Sequence, residues 1–324
     1  MESFLAELRE ESLKGFTDDE RAVRSRQYFK KSALIERMVN AVVDRRDGKA
    51  ADLGSQIRQA SKEEKALIRA ALLKRLDADD DEDVRVTCLI NLGSFPGGRG
   101  ELFARVLRAD RSPRVRKVAA HALGNYGSEE ELAALFDAAN QDRAVAQSAI
   151  FSIGSIGGPR ATDWLIALWN NPEASRGNRD VIVASIGAAG GPNALNVLEE
   201  VLQGKDDSIR SSATVGVWHL AQRNSKNPPV FEAAVAVLRE CLQDRNPNVR
   251  ESAIYGLGWV GNADDVRLLE AMLKDDYFRQ IRYTEDGQVR TRNHYPVRAA
   301  AAETIERMKA RLKSSKRGVL HSLQ

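Results

Sequence analysis

The feature that most constrains this chain is a motif that recurs along its sequence. Val115–Gly124 reads Val-Arg-Lys-Val-Ala-Ala-His-Ala-Leu-Gly, and Val249–Gly258 reads Val-Arg-Glu-Ser-Ala-Ile-Tyr-Gly-Leu-Gly. Including weaker copies, the motif is anchored at Val84, Val115, Val145, Val181, Ile209, Val249 and Val297. Intervals of 28 to 48 residues between copies are typical of a solenoid, in which each unit buries its apolar face against its neighbours.

Each copy reads as two helices joined by a polar loop. The first helix carries spaced leucines, as in 195–202, and the second begins at the Val-Arg anchor. Ser112-Pro113 and Asn246-Pro247 are typical of an N-cap followed by proline at the first helical position. These signals predict an all-α chain.

The motif resembles the HEAT repeats of the bilin-lyase (PBS-lyase) class, in which an Asp precedes Val-Arg and Ala-Ala-x-Ala-Leu-Gly follows. Asp110 and Val115–Gly124 match it most closely. The resemblance covers 61–312 and implies about seven repeats wound into a right-handed α–α superhelix. It also implies that a binding scaffold is the usual role and an enzyme the rarer one.

The two ends of the chain depart from the repeat. Residues 1–60 read as helical but off-repeat, which predicts an N-terminal cap on the first repeat, with a separate docking helix as the alternative. Residues 313–324 continue a run of Lys and Arg, and we expect them to form a basic C-terminal tail.

The last interval contains a short insertion. Gln280–Thr284 and Gln288–Arg292 alternate polar and apolar or β-branched residues around Glu285-Asp286-Gly287, which predicts a β-hairpin near 278–293. Five of its side chains are candidate contacts for an acidic protein or a phosphate: Arg279, Arg282, Tyr283, Arg290 and Arg292. The alternative is a loop that packs on the last repeat and seals it.

Composition excludes several classes of protein. The net charge is only +3, which argues against a nucleic-acid binder that works by bulk charge but not against a local basic patch. No apolar run is long enough for a transmembrane helix, so membrane insertion is not expected. Cys88 and Cys241 are too few for a disulfide framework and read as core residues. We therefore expect a cytoplasmic protein.

A search for chemistry finds no catalytic, metal or cofactor motif. The four histidines lack zinc-site spacing, and H-E-x-x-H, the phosphate loop and G-x-S-x-G do not occur. Deoxyhypusine hydroxylase also resembles this repeat class, but its iron sites need His-Glu pairs, and the chain contains no His-Glu dipeptide. The sequence favours a non-enzymatic protein without excluding an enzyme.

An arginine follows most of the anchors. Stacking of repeats would align these side chains beside the loop aspartates and carbonyls of neighbouring units, a role that suits the five-donor guanidinium. The predicted ladder, which would be scaffold and not a ligand site, comprises Arg85, Arg116, Arg210, Arg250 and Arg298.

The positions two, six and ten residues after an anchor share one face of each second helix, away from the core. In solenoids of this kind the second helices line the concave side. The candidate partner-binding residues on this second-helix stripe are Lys117, His121, Asn125, Phe151, His219, Tyr255 and Trp259. The alternative is that the large side chains fill gaps between repeats.

Three functions follow from these observations. The first is a non-enzymatic protein-binding scaffold that uses the stripe, with the hairpin as an accessory contact. The second, which rests on the resemblance alone, is a bilin-lyase-like protein that handles a chromophore. The third is a nucleic-acid-binding HEAT-like protein, which the mixed charge of the stripe disfavours. The sequence identifies neither the partner nor the oligomeric state.

Overall fold

A computed structural model of the chain describes residues 17–44, 53–95, 97–285 and 288–321. The helices in these ranges are α1 Asp18–Val43, α2 Gly54–Gln59, α3 Lys62–Ala78, α4 Glu82–Leu92, α5 Arg99–Ala109, α6 Pro113–Tyr126, α7 Leu132–Gln141, α8 Ala146–Ile156, α9 Pro159–Trp169, α10 Arg179–Ala189, α11 Ala194–Leu202, α12 Asp207–Arg223, α13 Pro228–Cys241, α14 Pro247–Val260, α15 Ala263–Met272 and α16 Pro296–His321. The strands are β1 Arg279–Glu285 and β2 Gln288–His294, which pair antiparallel.

From α3 onward the described helices form pairs, each with a first and a second member, from α3/α4 to α15/α16. The chain divides into two compact units that meet at Ala149 and Ile150, within α8. In the first unit α4 and α6 pack together, each against its own first helix. In the second unit α10, α12, α14 and α16 pack in sequence order, with their first helices behind them. The predicted fold class, an all-α HEAT-like solenoid with a hairpin in the last repeat, is confirmed.

The repeat motif supplies the core because it places small and branched residues on one face of each second helix. On α6 the fully buried set is Val115, Ala119, Ala120 and Leu123, and on α14 it is Val249, Ala253, Ile254 and Leu257. Glycines let some second helices approach more closely still. A Cβ on Gly187 of α10 would overlap the carbonyl of Gly216 on α12, so this contact requires glycine.

The register of the fourth repeat differs from the sequence interpretation. Val181 is only half-buried, and the buried face of α10 instead consists of Ile182, Val183 and Ile186. This pattern puts the anchor at Asn178 and places Arg179 in the ladder position. A longer connection, 170–178, joins α9 to α10. The Arg179 guanidinium lies 3.7 Å from the ring centroid of Trp169, the last residue of α9, and donates to the Trp169 carbonyl at 3.3 Å.

The predicted arginine ladder is present at the start of the second helices. Arg85 donates Nε and Nη2 to the Asp110 carboxylate at 2.9 and 3.0 Å, while Arg116 donates Nη1 to the Asp110 carbonyl at 2.8 Å. One loop aspartate therefore links two successive repeats. The same geometry recurs in the second unit, where Arg210 and Arg250 share Asp244 and where Arg250 and Arg298 share Asp275.

The ladder keeps its carboxylates ionised. Burial would raise the pKa of Asp110, but hydrogen bonds from Arg85 and from the Ser112 amide, with the Arg85 charge, outweigh it and lower the pKa below its usual value. Arg210 and the Asn246 amide act in the same way on Asp244. Because these guanidinium groups are paired within the scaffold, they are not free for a ligand.

The described parts of the two ends pack as helices. Ile35, Val39 and Val43 of α1 are buried, and α1 packs on α3. The Leu53 amide donates to Asn91 Oδ1 at 2.7 Å, which ties the start of α2 to α4. At the other end α16 continues to His321, so most of the segment expected as a tail is helical. Residues 1–16 of the expected cap and 322–324 of the tail lie outside the described residues.

Candidate functional site

The stripe of the first unit lies on α6 and is exposed. Lys117, His121 and Asn125 are all exposed there, as expected for positions two, six and ten after the anchor. Tyr126 follows them at the end of α6, with the Arg99 guanidinium 4.4 Å from its ring centroid. The structure therefore places these three predicted residues on one accessible helical face.

In the second unit the stripe residues differ in exposure. Phe151 and Trp259 are exposed by 55% and 54%, whereas His219 and Tyr255 are half-buried. The ring of Trp218 stacks on His219 at 3.8 Å. Burial, and secondarily the charge of Arg223, lowers the pKa of His219. The stripe is thus a mixed surface with two exposed aromatic side chains.

Trp259 is framed by α16, which packs against α14. The Arg307 guanidinium lies 5.3 Å from the Trp259 ring centroid. Its approach depends on Gly258, where a Cβ would come within 2.5 Å of Arg307 Nη2. Arg311 donates to the carbonyls of Trp259 and Gly261, which fixes the end of α14 against α16.

The guanidinium of Arg307 differs from those of the ladder. Its Nε and Nη2 are buried and have no hydrogen-bond partner among the described residues. Neither Arg307 nor Arg311 is among the candidate residues that the sequence predicts. Arg307 and Arg311 lie four residues apart among the basic residues that follow Val297, a spacing that places both on the same face of a helix. This spacing is the sequence signal that could have identified them.

Another arginine, Arg223, contacts the C-terminal ends of α8 and α10. Arg223 donates Nη2 to the Ser155 carbonyl at 2.6 Å and Nη1 to the Ile156 carbonyl at 3.3 Å. Gly157 and Gly190 both have a φ of +72°, and a Cβ at either would meet the Arg223 side chain. Burial lowers the pKa of Arg223. This arginine satisfies carbonyls that a helix end leaves unpaired.

The hairpin presents two chemically different faces. Its register pairs Arg279 with His294, Ile281 with Arg292, Tyr283 with Arg290 and Glu285 with Gln288, so these eight residues share one face. The Arg292 guanidinium lies 5.2 Å from the Tyr283 ring centroid. The other face carries Arg282 among neutral side chains, namely Gln280, Thr284, Val289, Thr291 and Asn293.

The exposure of the hairpin bears on its role. All four arginines, at 279, 282, 290 and 292, are exposed, and Tyr283 is half-buried. Val289 is exposed by 71%, although it is an apolar residue. This argues against the alternative that the hairpin seals the last repeat. The predicted turn residues, Asp286 and Gly287, lie outside the described residues.

Other features of the described chain are accounted for by the scaffold. Burial raises the pKa of the Cys88 thiol to about 12 and that of Cys241 to about 11, which fits the predicted core roles and an unreactive thiol. An open cleft of about 830 Å³ in the first unit is lined by charges of both signs, and two of them, Arg105 and Asp77, pair at 2.9 Å.

Metal-ligand clusters and membrane-spanning helices are both absent from the described ranges. No three His, Cys, Asp or Glu side chains in residues 17–44, 53–95, 97–285 and 288–321 come together as metal ligands. In the same part of the chain, no helix combines the length and the apolar character needed to cross a membrane.

The chain is similar to several solved structures. Solved structures of similar fold include the complex of CpcE and CpcF of phycocyanin lyase from Nostoc sp. PCC7120, with 18% identity over 75% of this chain and 94% of that chain and a TM-score of 0.45. Kap95p, in a structure where its binding induces the switch loops of RanGDP to adopt the GTP-bound conformation, shows 15% identity over 94% of this chain and 40% of its own, with a TM-score of 0.39. Human deoxyhypusine hydroxylase in complex with glycerol shows 18% identity over 86% and 98%, with a TM-score of 0.32.

No curated protein matches the chain. The family described as HEAT repeats matches residues 69–144, 138–218 and 215–285, which together make up more than half of the sequence. The chain therefore belongs to the HEAT-repeat family.

Proposed function

We propose that this HEAT-repeat chain is a non-enzymatic scaffold that binds a protein partner through the second-helix stripe. In the second unit the contact centres on Trp259, with Phe151, His219 and Tyr255 on the same stripe and the hairpin as an accessory contact. Lys117, His121 and Asn125 offer a further surface in the first unit.

The observation that carries this proposal is the exposure of Trp259 in a rigid setting. More than half of its surface is accessible, the Arg307 guanidinium of α16 lies 5.3 Å from its ring centroid, and Arg311 donates to its backbone carbonyl. Trp and Arg are the side chains most enriched where binding energy concentrates at protein interfaces. A large exposed aromatic side chain that the fold holds in place favours a binding role over a packing role.

The test compares Trp259→Ala with Leu268→Ala in the full chain. Leu268 is an exposed apolar residue of α15, a first helix, so it controls for the loss of exposed apolar area elsewhere in the same unit. Each variant is used to capture partners from an extract of the native host, with and without nuclease, followed by mass spectrometry. We expect the wild type and Leu268→Ala to retain a specific protein that survives nuclease.

Trp259→Ala should weaken capture of that protein about 30-fold, the effect of losing an interface anchor worth about 2 kcal/mol. Its thermal melting should match that of Leu268→Ala, because neither side chain fills the core. Equal capture by both variants would contradict the proposed use of the stripe. An eluate that disappears with nuclease would replace the protein partner by nucleic acid.

A further inference from the structure

We propose that the hairpin β1–β2 receives an extended acidic segment of the partner protein as a third β-strand. This inference rests on the scaffold function proposed above and adds the chemistry of the partner. It assigns the recognition of the partner's backbone to an edge of the hairpin, and that of its carboxylates to the face with Arg279, Tyr283, Arg290 and Arg292.

The first argument is the marginal stability of the hairpin. The sheet has two strands in the described chain, and most of its described side chains are exposed. A two-stranded hairpin without a packed face is at best marginally stable in water, and three strands are needed for independent stability. Each strand also has an outer edge whose backbone groups pair with no other strand of this sheet. An added strand would satisfy one edge and stabilise the hairpin.

The second argument is charge and spacing. Arg290 and Arg292 lie two residues apart on one strand and one face, so their Cα atoms are separated by about 6.6–6.8 Å. Alternate side chains of an added strand have the same spacing, which brings a row of carboxylates opposite a row of guanidinium groups. Cross-strand pairs of opposite charge stabilise a sheet.

The same residues disfavour a nucleic acid as the occupant. The second face of the ribbon has a single arginine, Arg282, among neutral side chains. The net charge of the whole chain, +3, adds little attraction.

The test uses the full-length chain and a fluorescent peptide of alternating Glu and Val, blocked at both ends. A second peptide has the same sequence with every other backbone amide N-methylated, which keeps its charge but prevents strand pairing. A single-stranded oligodeoxynucleotide of equal charge is the third probe. Binding is followed by anisotropy and by hydrogen exchange of the amides in 279–294.

We expect the unmodified peptide to bind saturably at millimolar concentration or below and to slow exchange in the hairpin. The N-methylated peptide should bind at least about tenfold more weakly. Arg292→Ala should weaken the unmodified peptide about tenfold, as expected for one charge-assisted hydrogen bond. Arg282→Ala, which removes the same charge from the opposite face, should change binding by less than about twofold.

Three outcomes would overturn the proposal: equal binding of the two peptides, no saturable binding of either, or tighter binding of the oligonucleotide. None of them depends on Trp259. If the peptide fails while Trp259→Ala still loses the captured protein, the scaffold function remains and only strand addition is wrong. If the peptide binds while capture is independent of Trp259, the hairpin alone is the contact.

Discussion

The two ends of the second helices use arginine in opposite ways. At their N-terminal ends the ladder arginines are paired with aspartates, and Arg85 is exposed by only 4%. At the C-terminal ends Arg223 and Arg311 are found donating to backbone carbonyls. One end therefore neutralises charge within the scaffold, whereas the other uses cations to satisfy the negative ends of helices.

The difference follows from what each helix end offers. A loop aspartate before the N-terminal end accepts from the amide of the N-cap residue and from the arginine of the preceding repeat, as Asp110 does with the Ser112 amide and Arg85. A C-terminal end offers only unpaired carbonyls. Burial there lowers the pKa of Arg223, whereas the hydrogen bond with Asp110 outweighs burial and raises the pKa of Arg85. Buried pairs should therefore be costlier to break than caps.

The largest expected effect is that of Asp110→Ala. It leaves the buried Arg85 guanidinium without its carboxylate, and removing one partner of a buried pair costs about 3–5 kcal/mol in free energy of unfolding. Arg85 keeps its bonds to the Asp79 and Asp80 carbonyls, so we expect the lower end of this range. Urea denaturation of the full chain measures the loss.

Asp80→Ala is the matched control, because it removes a carboxylate that is 95% exposed and pairs with Arg111. Such surface pairs contribute about 0–1 kcal/mol. If the two variants lose the same stability, the ladder is not the stronger of the two kinds of contact.

Asp110→Ala also tests how the stability contributed by Asp110 depends on pH. Because the pKa of Asp110 is lowered in the folded chain, its contribution is fully present above the ordinary aspartate pKa of about 3.9 and is lost as the pH falls through the folded value. The stability difference between wild type and Asp110→Ala should therefore be constant above about pH 5 and shrink below it. A difference that grows on acidification would contradict this assignment.

The ladder end was readable from the sequence, and the cap end was not. An anchor followed by arginine and a loop aspartate recur in most of the repeats, so their pairing follows from stacking alone. Arg223 instead reaches Ser155, 68 residues earlier, across positions that only the packed helices bring together. Its contact also needs the φ of +72° at Gly157 and Gly190.

The hairpin and the fourth repeat show the same limit. Alternation around Asp286-Gly287 predicted a hairpin near 278–293, and the observed strands begin at Arg279 and end at His294, because a hairpin is a local structure. The anchor at Val181 was wrong because Val181-Ile182-Val183 offers several apolar residues in a row. The burial of Ile182, Val183 and Ile186, together with the packing of Arg179 on Trp169, distinguishes the register.

The next largest effect on stability is expected at the contact between α10 and α12. In an open helix position Gly→Ala stabilises by about 1 kcal/mol. Gly187→Ala should instead destabilise by about 1–3 kcal/mol, because the new methyl group overlaps the Gly216 carbonyl and the helices must separate. Thermal melting measures the change, and a melting temperature below that of the wild type is the expected result. A stabilised variant would show that the helices adjust freely.

Removing a cap should cost less than breaking the ladder. Arg223→Ala leaves the carbonyls of Gly154 and Ser155 without their side-chain donor, and we expect a loss of about 1–2 kcal/mol because water can replace part of the contact. Arg223→Lys keeps the charge but not the fork of donors, so it should recover only part of the loss. A cost as large as that of Asp110→Ala would remove the distinction between the two ends.

The smallest expected effect is on the titration of His219. Burial is the main cause of its lowered pKa and the Arg223 charge the second, so Arg223→Gln should move the pKa only part of the way back towards its ordinary value of about 6.5. A lowered histidine pKa means that stability falls as the pH drops from about 6.5 through the folded value, since the unfolded chain binds the proton more readily. That pH dependence should become weaker in the variant.

An NMR titration of the imidazole, assigned with His219→Gln, measures the shift. If the pKa of His219 returned fully to its ordinary value, the Arg223 charge would be the main cause of the shift. If it did not move, the charge of Arg223 would have no effect on His219, and the role of Arg223 would be only to donate to the helix carbonyls.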